Sequence, residues 1–235
     1  MYNSVLMKID GDCHNFPDKV ILINQVNELL GTPLEDLLVL LGVDLESYFG
    51  KTFCIKAFGR LTGPSTSFYL QKNKETGHHL IWLPKNICEG SDPNFVWEYA
   101  HECGHRLQDA KWPKYHDWEK SLLRLNDKLL NYDIPSEMDA HITAKRIVFN
   151  MFGEEALSAC ISDKIKAGHE PSYWGYIKIL NYDNNLDLEK ECLQRLALES
   201  SIKYPTKDNA FTFLSGLFPD KSKEEIERSL AVYFE

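Results

Sequence analysis

The chain of 235 residues holds no apolar run near the ~20 residues that cross a bilayer, so no membrane role is expected. A dense Lys/Arg block is also missing. The 26 basic residues stand against 35 acidic ones, for a formal net charge of -9. Phosphate-tracking surfaces carry a basic face, so nucleic acid is not the expected partner. There is no C-x-x-C pair: Cys13, Cys54, Cys88, Cys103, Cys160 and Cys192 are scattered. From Met1 to Asp12 no apolar core or small-residue cleavage site appears, so this stretch does not read as a secretory signal. Reduced thiols and a cytoplasmic location are the expectation. Internal repeats and low-complexity segments are absent from the sequence.

What is there is the composition of a soluble globular protein, 43% hydrophobic and 26% charged. The length suits one domain with appendages or two small ones. From Lys19 to Leu30, Ile21, Ile23, Val26, Leu29 and Leu30 recur at helical spacing, and Gly31 ends the run. Thr32-Pro33-Leu34-Glu35 reads as a capping box for a second helix through Leu37, Leu38, Leu40 and Leu41 to Gly42, and Asp44 starts another. The acidic stretch Asp44 to Tyr48 would repel phosphate, so the pair is expected to be a structural helical hairpin and not a DNA reader.

Beyond Lys51 the period changes to that of strands, predicted over Thr52 to Phe58, Ser65 to Gln71 and His78 to Leu83. The last two flank Lys72 to Gly77 and read as a hairpin. After Pro93 the pattern is helical: one helix into the Ala110 to Pro113 break, one from about Trp118 to Asn131, and one from Pro135 to Met151. Further helices are expected after Gly153, Pro171, Asp187 and Lys221. The aromatic groups Tyr173-Trp174-Tyr176 and Phe211-Phe213-Phe218 read as core, and the charged run Lys221 to Arg228 as a solvated helix face.

The stretch with chemical content is Trp97-Glu98-Tyr99-Ala100-His101-Glu102-Cys103-Gly104-His105. It holds H-E-x-x-H on a helix opened by Asp92-Pro93. Spacing of i and i+4 stacks His101 and His105 on one face, where two imidazoles can converge on one ion. Glu102 is turned by about 100° from His101, which suits a general base better than a ligand. By composition alone the pattern arises in roughly one chain in fifty, so its weight comes from context. Metal-assisted hydrolysis requires three protein ligands and an open position. Glu137, Asp139, His116 and His141 are the candidates for the third. Glu137 is favoured because it opens a helix on which Ala140 and Ala144 permit close packing, with Asp139 next. His141, one turn on, suits a group that holds a ligand in place by hydrogen bonding. Cys103 reads as a small buried residue. Tyr99, Tyr115, His116, Tyr132 and His141 all remain candidates for stabilising a developing oxyanion.

His101-Glu102-Cys103-Gly104-His105 followed by Glu137-x-x-Ala140 resembles the glutamate-zincin peptidases, and most of all the ImmA/IrrE-type family, cytoplasmic proteases of bacteria and mobile elements. Its pattern is H-E-x-G-H, then E-x-x-A-[ND]-x-F-A. Glu137, Ala140 and Ala144 match, whereas His141 stands where Asp or Asn is usual and Thr143 where Phe is. The strand His79 to Leu83 is similar to the edge strand that these enzymes place before the active helix. The resemblance spans about residues 52–150.

It implies an α+β fold: a small β-sheet with that edge strand packed on a two-helix zincin core, and a helical C-terminal extension. The segments would be an N-terminal helical segment 1–50, a metallopeptidase core 51–152 and the extension 153–235. It further implies Zn2+ held by His101, His105 and Glu137, Glu102 as the catalytic base, and a protein or peptide substrate such as a regulator or repressor. The alternative is a non-catalytic protein of the same fold, acting as a metal-stabilised sensor or partner-binding module.

Overall fold

The computed structural model describes residues 7–31, 36–58, 66–72, 74, 76–130, 133–167, 170–182 and 186–234; of residues 58, 167 and 170–174 it describes the backbone alone. The fold is α+β. Four strands, β1 (Lys8–Gly11), β2 (Leu37–Leu41), β3 (Phe68–Leu70) and β4 (His79–Leu83), form one mixed sheet in the order β1-β2-β4-β3. β1, β2 and β4 are parallel, and β3 returns antiparallel to β4. None of the helices among the described residues is long and apolar enough to cross a membrane. By internal contacts the chain divides into two compact units, Met1–Leu107 with Thr143–Ala167, and Gln108–Ile142 with Gly168–Glu235.

In the first unit, α1 (Pro17–Leu30) connects β1 to β2, as parallel neighbours require a crossover of about a dozen residues or more. Pro17 opens the helix, and Gly31 closes it in the left-handed conformation at φ 63°. Its buried stripe is Lys19, Leu22, Ile23 and Val26, while Ile21 and Leu29 face out. The expected helix over Leu37 to Gly42 is instead strand β2, so β1, α1 and β2 form a β-α-β crossover where a helical hairpin was expected. The reason lies in burial. All five β2 residues are covered, because the strand has a parallel partner on each side and packing on both faces. Such a strand has no alternation to show, and a run of leucines reads equally well as helix. Thr32 to Glu35, the expected capping box, lie outside the described residues.

A second correction falls on Thr52 to Phe58. α2 (Leu45–Phe49), capped by the Asp44 carboxylate accepting from Ser47 N at 2.8 Å, is followed by α3 (Lys51–Phe58) and not by a strand. The alternation of Phe53, Ile55 and Ala57 is coincidental: Phe53 and Cys54 are buried and Ile55 is exposed. Phe53 stacks on Phe49 at 4.2 Å and, with Cys54 and Leu45, covers the sheet face of Leu38, Leu40, Leu80 and Trp82. The third correction concerns β4. It is hydrogen-bonded on both sides, to β2 and to β3, so β3 and not His79 to Leu83 forms the edge. The β3–β4 hairpin itself is as expected. The short α4 (Lys85–Cys88) then leads to α5 (Asp92–Lys111).

The second unit is helical: α6 (Tyr115–Leu125), the start of α7 (Pro135–Ala167), α8 (Glu170–Leu180), α9 (Leu188–Lys203), α10 (Lys207–Leu217) and α11 (Lys223–Ala231). Helix α6 starts and stops earlier than the expected Trp118 to Asn131. Trp118 and Leu122 of α6 pack with Leu193, Leu196 and Ala197 of α9, and with Leu214, Phe218 and Leu230. Asp187, Thr206 and Ser222 each accept the backbone N–H that opens α9, α10 and α11, and Ser222 with Glu225 makes a full capping box. Phe218 is buried and stacks on Trp118 at 5.0 Å; Phe211 and Phe213 pack against the same core. The charged face of α11 is exposed around buried Ile226. Helix α7 is interrupted at Gly153, where φ 82° and ψ -177° place the backbone in a region that only glycine occupies freely.

Candidate metal centre

Helix α5 is fixed at its start and along one side. Lys19 of α1 is buried and bonds Asp92 at 2.6 Å and the carbonyl of Gly90 at 3.0 Å. Phe95, Val96, Trp97, Tyr99, Ala100 and Cys103 are each no more than 1% exposed. The Tyr99 hydroxyl donates to Asn27 of α1 at 2.9 Å. A helix held so tightly presents its remaining stripe, Glu98, His101, Glu102 and His105, with little freedom to rotate.

On that stripe the two imidazoles meet. The Nε2 atoms of His101 and His105 are 3.2 Å apart, with the rings nearly perpendicular at 86°. Two nitrogens held at zinc-binding distance with tetrahedral angles stand about 3.3 Å apart. One carboxylate oxygen of Glu137 joins them, so that the three ligand atoms all lie within 4.8 Å of one another. His101 is buried, and His105 and Glu137 are partly exposed. Two imidazoles and one carboxylate are a donor set that suits zinc, and three donors leave a fourth tetrahedral position for another molecule. The residues present therefore fit the ion. Glu102 follows His101 on α5 and is 5% exposed, outside the group of three.

The other candidates are placed elsewhere. Asp139 accepts from Gln108 Nε2 at 2.8 Å, and the same nitrogen donates to the Ser136 carbonyl at 2.7 Å. His116 lies 3.5 Å from Asp109 and 3.9 Å from Glu119. His141 is half-buried, one turn after Glu137, with its ring edge-on to Tyr176 at 5.9 Å. Among the oxyanion candidates, Tyr99 is sealed in the core with its hydroxyl on Asn27, and Tyr115 is buried among α6, α9 and their neighbours. Tyr132 lies outside the described residues. His116 and His141 keep partial exposure. Cys103 is fully buried, and burial first, then Glu102, push its thiol well up, in keeping with an inert core residue.

Two carboxylates near the centre were not singled out by sequence. Glu98 precedes His101 by three residues and Glu102 by four, so it shares their stripe. It accepts from the Ser67 hydroxyl at 2.6 Å and pairs with Lys164. Burial alone would push its carboxyl up. The Lys164 ammonium, the Ser67 hydroxyl and the charge of His101 outweigh burial and hold it below the ordinary glutamate value. For Glu119 the balance is reversed: burial, then the negative charge of Glu137, push its carboxyl up. Helical spacing from His101 points to Glu98; no local signal points to Glu119.

The Glu98–Lys164 pair makes a stability prediction. Side-chain exposure is only 22% and 14%, so removing one partner leaves a charge largely out of water. Lys164→Met is expected to cost about 2–4 kcal/mol at neutral pH. The sign with pH also changes. In the wild type the depressed Glu98 carboxyl contributes stability that is present above its unfolded value and lost as pH falls through the lower folded value. In the variant, protonating Glu98 relieves an uncompensated charge, so the cost shrinks on acidification. Urea titrations from about pH 7 down to pH 4 check both slopes.

No protein-family model, curated protein or solved structure matches the chain.

Proposed function

We propose that this chain is a zinc-dependent metallopeptidase that hydrolyses peptide bonds in a protein or peptide substrate. The observation that carries the reading is the convergence of His101, His105 and Glu137 beside a buried carboxylate, Glu102. In this reading α5 and the start of α7 are the two helices of a glutamate-zincin core. Zinc bound there would supply Lewis acidity and lower the pKa of a water toward ~7.

The chain's own residues do the rest. His101 and His105 present Nε2 atoms at a separation set by their helical turn. Glu137 adds one negative charge, so the site stays cationic when loaded and can polarise a carbonyl. Glu102 takes the proton of the attacking water on a carboxylate oxygen and returns it to the leaving amine nitrogen. Its burial strengthens hydrogen bonds made to the carboxylate. His141, one turn from Glu137, is assigned to holding it in place. The edge strand β3, and not β4, is where an extended substrate segment would pair through its main chain. A regulator or repressor is the substrate class that the resemblance suggests.

The test is removal and return of the metal. Incubation with a chelator, then gel filtration, is expected to abolish cleavage of an unfolded reporter protein, and equimolar zinc to restore it. Cleavage that persists in metal-free protein would rule the mechanism out. The burial of both His101 and Glu102 also accommodates a second reading, a metal that serves structure alone. In that case zinc binds one to one and raises the melting temperature while no cleavage is seen.

A further inference from the structure

Besides the metal centre, the second unit contains a cleft of about 470 Å³ that none of the three grouped donors lines, bordered by the first turn of α7, by α8 and by α9. A volume of that order suits a small organic ligand. Its charged lining is balanced, two cations and two carboxylates: Lys178, Arg195, Asp133 and Glu191.

Those charges are not equally engaged. Lys178 lies 3.5 Å from Asp133. Arg195 gives one terminal nitrogen to Glu199 at 2.8 Å. Its Nε–H is buried and has no acceptor among the described residues. The Glu191 carboxylate likewise makes no ion pair and no side-chain hydrogen bond among the described residues. A buried donor without an acceptor costs free energy that a bound acceptor recovers. Glu191 and Arg195 are one turn apart on α9, with Cβ atoms about 5–6 Å from one another. One molecule can therefore meet both. Met138, Leu186 and Leu198 add an apolar wall beside them.

We propose that this cleft binds a small zwitterion, an α-amino acid with an aliphatic side chain. Its ammonium is placed on Glu191 and its carboxylate on the Arg195 Nε–H and the Lys178 ammonium. The side chain lies against Met138, Leu186 and Leu198. An ammonium and a carboxylate carried on a single carbon fit the span of one helical turn, whereas a net anion would meet Glu191 and a net cation would leave the Arg195 donor orphaned.

Titration calorimetry on the full chain tests this, with L-leucine, leucinamide and N-acetyl-leucine as probes. All runs contain a chelator, so that binding cannot be borrowed from a metal. Leucine is expected to bind one to one and saturably. Each capped analogue, which lacks one charge, is expected to bind at least about tenfold more weakly. Glu191→Gln and Arg195→Lys, checked as folded by circular dichroism, are expected to weaken leucine by a similar factor. Absence of saturable leucine binding overturns the proposal, as does equal binding of the three probes by the wild type. Unchanged affinity in folded Glu191→Gln does the same. The outcome is independent of whether the metal centre hydrolyses anything.

Discussion

Glu102→Gln is expected to lower kcat/KM for peptide cleavage by about a thousandfold while zinc stays bound at one per chain. The amide matches the carboxylate in size, so the 5% exposed position can be refilled without opening the helix. What is lost is proton affinity. The water loses its base and the leaving amine loses its acid, and each contributes up to the upper part of the range for general catalysis. Because Glu102 lies outside the three grouped donors, metal content should not change. Paired assays of cleavage rate and zinc stoichiometry make the distinction. Equal activity in the variant would remove Glu102 from the chemistry, and loss of zinc would make it a ligand.

The second large effect is expected at the ligands. Glu137→Ala and His105→Ala should each release the metal at micromolar free zinc, and activity with it, because two remaining donors do not hold a tetrahedral ion firmly. Asp139→Asn, two residues along the same helix, should keep it. The contrast is sharp because Asp139 is occupied elsewhere, accepting from Gln108 at 2.8 Å. Elemental analysis after dialysis measures the outcome. Zinc kept by Glu137→Ala and lost by Asp139→Asn would transfer the third ligand to Asp139.

The pairing of His101 with His105 was legible in the sequence because it depends on short-range rules, whereas the approach of Glu137 from another helix is decided by the fold. The i, i+4 spacing fixes His101 against His105, and a helix opening at Pro135 carries Glu137 on a defined face. Helix starts were legible for the same reason: Asp44, Asp187 and Ser222 carry their caps within three residues. The sheet was harder. β2 is Leu-Leu-Val-Leu-Leu, buried on both faces, and its pairing with Lys8–Gly11 and His79–Leu83 is set by residues far away in the chain. Nothing local distinguishes that run from a helix. The period-two pattern at Thr52 to Phe58 misled in the opposite direction, since burial of Phe53 and Cys54 against Leu38 and Trp82 decides the helix. Glu98 and Glu119 act through space, on His101 and Glu137, and only the folded geometry exposes that.

Gly153 illustrates how a position can matter without neighbours. A methyl group built there would meet nothing within 4 Å, so any count of contacts would score the site as open to every side chain. The torsion angles say otherwise, since L-residues pay about 1–3 kcal/mol to sit where this glycine sits. A substitution library across α7 would thus show intolerance at Gly153 as well as at buried positions such as Ala144 and Val148, though no neighbour crowds the glycine. What is selected there is the direction in which the chain leaves the bend, and hence where Lys164 arrives beside Glu98.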